Sequence, residues 1–209
     1  LAADLSAADL ESLVEEGRGA IEAWEGDISS DSFLERVRRL DRLDGLLNNA
    51  GTNRVGPMVE QDLGSIDLII GLNIRAVYRV TQAAIAPMKR AGGGSIVSIT
   101  SQMGHVGSPG RTLYCMSKHA IEGLSKALAV ELAEEGIRVN TVAPTFVMTP
   151  MTKPMFENQE FYDFVMNMIP MKKLAEAEDI ANACVYLLSE LSASTTGTSL
   201  RVDGGWTAQ

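Results

Sequence analysis

The residues best equipped for chemistry lie in the run Tyr114-Cys115-Met116-Ser117-Lys118. On a helix, positions i and i+4 share a face, so this spacing projects a phenol and an ammonium to the same side. A free tyrosine has a pKa of about 10 and exchanges protons poorly at neutral pH. A neighbouring cation favours phenolate, and about three units of depression corresponds to roughly 4 kcal/mol between the protonation states. The spacing admits two readings, a tyrosine acid–base catalyst activated by lysine and an ordinary helix pair. Ser101 ends a β-branched run upstream, where its hydroxyl could hold a substrate oxygen. Asn73 falls inside a long helical stretch, a place where asparagine is intrinsically unfavourable.

The elements that must position these groups alternate between short apolar runs and longer amphipathic stretches. Strands are expected over 1–3 (with Asp4 just past the end), 21–24, 45–47, 95–100, 138–142 and 199–202. Helices are expected from about Ala7, over 32–43, over a long span 66–91, over 113–135 with Gly136 as its stop, and over 179–188. The Met-rich segment 145–171 reads as irregular. Strand alternating with helix, with no hairpin signal between strands, predicts an α/β fold with a parallel sheet covered on both faces. The 209 residues form one domain without repeat or linker.

Composition narrows the function classes. The chain carries 18 Lys+Arg against 27 Asp+Glu, a net charge of −9, and no basic run exceeds two residues. Nucleic acid is therefore not an expected partner. No stretch approaches the ~20 apolar residues of a membrane span. The two cysteines, Cys115 and Cys184, are too few for a disulfide framework and read as buried thiols, which fits a cytoplasmic protein.

Taken together, these residues resemble the short-chain dehydrogenases/reductases over nearly the whole chain. The likeness runs through Asn48-Asn49-Ala50-Gly51, Asn73, Ser101 with Tyr114 and Lys118, and Arg138-Val139-Asn140 with Ala143-Pro144. It closes on Asp179-Ile180-Ala181 and Thr196-Gly197…Val202-Asp203-Gly204-Gly205. The resemblance implies a doubly wound, Rossmann-like, three-layer α/β/α sheet with a nicotinamide cofactor at the carboxyl ends of its strands. Tyr114 would be the general acid/base and Lys118 would lower its pKa and bind the nicotinamide ribose. Ser101 would hold the substrate oxygen, and Asn73 would anchor a water leading from Lys118 to solvent. Asp27 and Ile28 would meet adenine, while Asn48, Ala50 and Gly51 would pass under the adenosine ribose. Val147 and Thr149 would meet the carboxamide and phosphates. Asp4 would accept both ribose hydroxyls of NAD and repel the 2′-phosphate of NADP, giving NAD preference. No metal is required, and His105 and His119 read as a loop and a helix-surface residue.

The sequence departs from that family at two places. The glycine-rich turn after the first strand is absent, and Gly92-Gly93-Gly94 cannot replace it because that run follows a helix and precedes a strand. The expectation is that one β-α unit, roughly thirty residues, precedes Leu1 in the functional form. Without that central strand the sheet would be open in its middle and the domain would not fold stably. Thr145 stands where the family usually has glycine, so the following loop should start differently. Segment 146–171 takes the place of a substrate lid, with Met148, Met151, Met155, Met166, Met168 and Met171 among five aromatic residues.

The leading expectation is an NAD-dependent oxidoreductase of a secondary alcohol or ketone, such as a sugar, polyol or small alicyclic compound. The alternatives are an NADP-dependent 3-oxoacyl thioester reductase and a catalytically silent cofactor-binding scaffold. Family likeness of the two long helices implies a homo-oligomer, a tetramer or a dimer.

Overall fold

The structure is a computed structural model that describes residues 1–149 and 152–209. Six strands are all parallel: β1 (Ala2–Asp4), β2 (Ala23–Glu25), β3 (Gly45–Asn48), β4 (Gly94–Ile99), β5 (Ile137–Pro144) and β6 (Ser199–Val202). They form two sheets, β1-β2 and β3-β4-β5-β6, with no ladder between β1 and β3.

The two sheets are nonetheless held in one body by the helices. α2 (Asp31–Arg38) packs on α4 (Val77–Ala91), burying Trp24, Leu34 and Val37 against Val80, Ala83 and Ala84. Arg79 on α4 adds a hydrogen bond to the Ser29 carbonyl (2.9 Å) and an ion pair with Asp31. Burial of Leu34, Val37 and Val80 is worth about 1.5–3 kcal/mol each. The open middle still shows, since Leu47 on β3 is 42% exposed.

Local sequence explains most boundaries. Ser6 and Ser30 cap α1 (Ala7–Glu16) and α2 by accepting from Asp9 N–H and Phe33 N–H. A capping box of Glu176 and Asp179 starts α7 (Ala177–Leu188). Gly92, at φ +87°, ends α4 in the left-handed conformation that glycine adopts without strain.

Two expectations need correction. The helix expected over 32–43 ends at Arg38. The long helix expected over 66–91 is present and unbroken, made of α3 (Leu63–Ile69), a π-helical segment (Ile70–Ala76) and α4. The segment read as irregular contains α6 (Gln159–Met168), capped by Asn158 through its bond from Phe161 N–H. Pro150 and Met151 of that segment lie outside the described residues. α5 (Thr112–Glu131) carries the Tyr–Lys pair, as expected.

Candidate active site

The site is built at the carboxyl ends of β3, β4 and β5, closed from one side by the start of α5. Lys118 is buried on α5, and its Nζ donates to the Ile99 carbonyl at the end of β4 (2.8 Å). The same nitrogen lies 5.5 Å from the centroid of the Tyr114 ring, so the two groups do share one helix face. An ammonium has three N–H donors, and among the described residues this one spends a single donor on the protein.

Asn73 explains the π-helical segment that carries it. Its Oδ1 accepts from Thr52 N–H (2.9 Å), while its Nδ2 donates to the Thr52 carbonyl (2.8 Å) and to Ser117 Oγ (3.1 Å). The widened turn aims this amide at the loop after β3 and ties that loop to α5; π-turns commonly mark functional sites. Both amide hydrogens are thus committed to protein. The water-anchoring role implied by family likeness is left with the spare lone pair of Oδ1 and with backbone groups.

Ser101 follows β4 and is buried. Its hydroxyl donates to Gln102 Oε1 (2.6 Å) and accepts from Met103 N–H (3.1 Å). Burial pushes the Tyr114 pKa above its ordinary value, opposed by hydrogen bonding to Ser101 and by the charge of Arg111. This corrects the expectation of a phenol made acidic by Lys118. Burial draws Lys118 itself down to about 8, against the pull of the Glu122 carboxylate. Desolvation is the largest cause for each group.

Glu122, one turn beyond Lys118, belongs to a buried network that sequence reading missed. It accepts from Thr100 Oγ1 (2.6 Å), Thr141 Oγ1 (3.0 Å) and Ser199 Oγ (3.0 Å), with His105 Nε2 at 3.3 Å. His105 is therefore tied to β6 and α5, more than a plain loop residue. His119 lies exposed on the helix surface.

The other expected residues surround this centre unevenly. Gly51 lies so near that a Cβ there would come within 3.4 Å of Asn73 Oδ1 and 3.7 Å of Lys118 Nζ. Ala50 precedes it in the same loop. Asn48 turns its amide inward to Thr81 Oγ1 (3.0 Å) and Ser98 Oγ (3.2 Å), leaving backbone for a ligand. Thr149 N–H bonds to Thr152 Oγ1 (2.9 Å), and Val147 bridges to Ala175 and accepts from Thr152. Asp4 ends β1 exposed, accepting from Ser6 N–H (2.9 Å). Asp27 accepts from Ser29 N–H (2.8 Å) and Ser29 Oγ (2.7 Å), and these bonds lower its pKa. Ile28 packs on the α2–α4 core.

Two buried oxygens have no hydrogen-bond partner among the described residues: Asn53 Oδ1, past β3, and Thr145 Oγ1, past β5. Thr145 does not adopt a positive φ. Orphaned oxygens, the free donors of Lys118 and the close approach at Gly51 fit a polar, flat ligand such as a nicotinamide ribonucleotide.

The comparisons agree with this geometry. A family model described as enoyl-(acyl carrier protein) reductase matches residues 1–207. The chain belongs to the short-chain dehydrogenases/reductases. Among curated members, a 3-oxoacyl-[acyl-carrier-protein] reductase of Thermotoga maritima is 34% identical over 213 residues, covering 98% of this chain and 86% of the relative. A D-erythrulose reductase of Gallus gallus is 38% identical over 203 residues, covering 96% and 82%. A solved gluconate 5-dehydrogenase of Burkholderia cenocepacia, in complex with NADP and tartrate, superposes with a TM-score of 0.92 at 25% identity, covering 99% of this chain and 84% of that one. As a short-chain dehydrogenase/reductase the protein is an oxidoreductase of CH–OH groups that uses a nicotinamide cofactor. No helix among the described residues is long and apolar enough to cross a membrane.

Proposed function

We propose that the protein is an NAD-dependent oxidoreductase that interconverts a secondary alcohol and its ketone, with a sugar- or polyol-like substrate. The observation that carries this reading is the convergence of Tyr114, Lys118, Ser101 and Asn73 from three segments onto one point. A bound nicotinamide supplies the hydride acceptor or donor. Tyr114 gives or takes the proton on the substrate oxygen, and Ser101 re-aims its hydroxyl from Gln102 to hold that oxygen. Lys118 offers its two spare donors to the ribose, and Asn73 fixes the loop under the nicotinamide end. Asn48, Ala50 and Gly51, with Asp27 and Ile28, line the adenosine end, and Val147 and Thr149 lie over the nicotinamide.

The NAD preference rests on Asp4, which stands in register with Glu25 on β2. Two acids at neighbouring positions would repel a 2′-phosphate. Segment 146–171 acts as the lid. Its Phe146, Phe156 and Phe161 pack with Trp206, while Met148 and Phe164 remain about half exposed and free to meet substrate. Tyr78, Met116 and Val130, exposed on α4 and α5, support assembly as a homo-oligomer, a tetramer or dimer. Cys115 and Cys184 are unpaired, in keeping with a cytoplasmic location.

The test is an initial-rate screen with NAD and NADP against ketoses, polyols and alicyclic alcohols. We expect kcat/KM at least tenfold higher with NAD; parity or an NADP advantage overturns the cofactor assignment. The match to the Thermotoga 3-oxoacyl reductase favours a second reading, an NADP-dependent thioester reductase. Faster reduction of an acetoacetyl thioester by NADPH than of any sugar would establish that reading instead.

A further inference from the structure

The hydroxyl of Thr145 is sealed from solvent and, among the described residues, bonds to nothing. The residue is 8% exposed and lies one position past β5. Hydroxyls on and just past the neighbouring strands are engaged: Thr100 and Ser199 donate to Glu122, and Ser101 donates to Gln102. A hydroxyl removed from water without a partner is costly, and its retention points to a ligand that completes it.

Side-chain alternation along β5 says which way this hydroxyl faces. Ile137 and Val139 pack with Ala129 of α5 and with Leu132 at its end, and Thr141 Oγ1 donates to Glu122 of α5 (3.0 Å). Val142 packs instead with Ala183 and Leu187 of α7. Odd-numbered residues of β5 therefore face α5 and even-numbered ones face α7. Thr145 N–H still bonds to the Val202 carbonyl of β6 (3.2 Å), which carries the strand on through Thr145 and sets its side chain on the α5 face.

Height along the sheet follows from the bond between Thr141 and Glu122. From Thr141 to Thr145 the strand climbs about 13 Å, at about 3.3 Å per residue. From Glu122 back to Tyr114 the helix climbs about 12 Å, at about 1.5 Å per residue. Lys118, midway, bonds to the Ile99 carbonyl at the carboxyl end of β4, so both climbs run to the same end of the sheet. The orphan hydroxyl thus comes level with the Tyr114 phenol. Ser101 arrives there from β4. The register of β4 on β5 is constant from Gly94↔Ile137 to Ile99↔Val142, Thr100 N–H goes on to the Val142 carbonyl (2.8 Å), and Ser101 is still extended at φ −171°. That register sets Ser101 beside Pro144, next to Thr145, on strands about 4.8 Å apart.

We propose that Thr145 is a specificity-determining residue whose hydroxyl binds a substrate oxygen on the carbon next to the reacting one. The protein then acts on α-hydroxy ketones and vicinal diols in preference to ketones and alcohols that lack the second oxygen. This inference rests on the oxidoreductase reading above and specifies its substrate class. Tyr114 and Ser101 hold the oxygen of the reacting carbon, and Thr145, one strand across, holds its neighbour. A hydroxyl both gives and takes a hydrogen bond, so it serves the diol and the hydroxy ketone alike. A substrate without that oxygen leaves Thr145 unpaired, which is how a site built for a hydroxyl rejects the analogue lacking it.

The experiment compares matched pairs on the whole protein with its preferred cofactor: acetoin against butan-2-one, and cyclohexane-1,2-diol against cyclohexanol. Each pair differs by one hydroxyl on the adjoining carbon. In wild type we expect kcat/KM for the hydroxylated member of the better pair to exceed that of its partner by at least tenfold. Thr145→Val, which keeps the shape and removes the hydroxyl, should lower that ratio at least tenfold, and Thr145→Ser should keep most of it. Intrinsic reactivity within a pair is the same for every variant, so the change in ratio reads the hydroxyl alone. Thr145→Val should also match or exceed the Tm of wild type without ligand; a fall would show the hydroxyl to be partnered in the free protein and would overturn the proposal. An unchanged ratio, or an equal loss for both members with weaker cofactor binding in a fluorescence titration, overturns it while leaving the oxidoreductase reading intact. If no member of either pair turns over, binding decides. With cofactor present, cyclohexane-1,2-diol should raise the Tm of wild type more than cyclohexanol does, and the difference should vanish in Thr145→Val. Equal or absent shifts, or a difference that survives the substitution, would overturn the proposal.

Discussion

The Lys118 ammonium donates to the Ile99 carbonyl at 2.8 Å and reaches the Tyr114 ring only across 5.5 Å. The lysine is therefore anchored by the end of β4, and its two remaining donors point the chemistry toward a ligand.

Removing the phenolic oxygen isolates the proton-transfer step. Tyr114→Phe should cut kcat by about 10²–10⁴-fold, the usual weight of general acid–base catalysis. Cofactor affinity, read by fluorescence titration, should change less than threefold. Near wild-type turnover in this variant would sink the assignment.

The depressed Lys118 pKa makes a pH prediction with a definite sign. The folded value of about 8 lies below the ordinary 10.5. Between these values the unfolded chain binds more protons, so stability rises with pH. The penalty is complete below about pH 8 and fades toward pH 10.5. The raised pKa of Tyr114 acts in the opposite direction only above about pH 10. Relative to Lys118→Met, wild type should gain about 2 kcal/mol between pH 8 and 9.5, measured by urea denaturation.

Glu122 sets where that window begins. Its carboxylate raises the Lys118 pKa, so Glu122→Gln should move the onset of the pH-dependent gain below pH 8. The amide would also face the hydroxyls of Thr100, Thr141 and Ser199 with a donor where each now donates. We expect a loss of about 2 kcal/mol at pH 7 by urea denaturation.

Asn73→Ala should cost about 3 kcal/mol, since Thr52 N–H, the Thr52 carbonyl and Ser117 Oγ lose a buried partner together. The loop after β3 should then exchange its amide hydrogens faster while the β4–β5 core stays protected, a contrast that hydrogen-exchange mass spectrometry reads directly.

The Tyr–Lys pair, Ser101 and Asn73 were legible because residue type and spacing carry their chemistry; the strands were legible because apolar runs alternate with amphipathic ones. Arg111, Gln102 and Glu122 were not. Each is a single polar residue whose burial is decided by elements distant in sequence, such as β5 and β6 around Glu122. The π-helical segment was hidden for a like reason, since it follows from the bond of Asn73 to Thr52. α6 left a signal that went unread: an Asn158 cap followed by Phe161, Val165 and Met168 at helical spacing. The split sheet was anticipated from the missing turn, but the strength of the α2–α4 contact was not.

Trp206 packs against Phe146 (5.9 Å between ring centroids) and Phe164 (6.3 Å), while Trp24, the second of two tryptophans, lies in the α2–α4 core. The protein consequently contains its own optical gauge. With Trp24 replaced by Phe, indole emission would come from one ring packed on Phe146 and Phe164, and stopped-flow mixing with substrate would report whether those contacts change, without an added label.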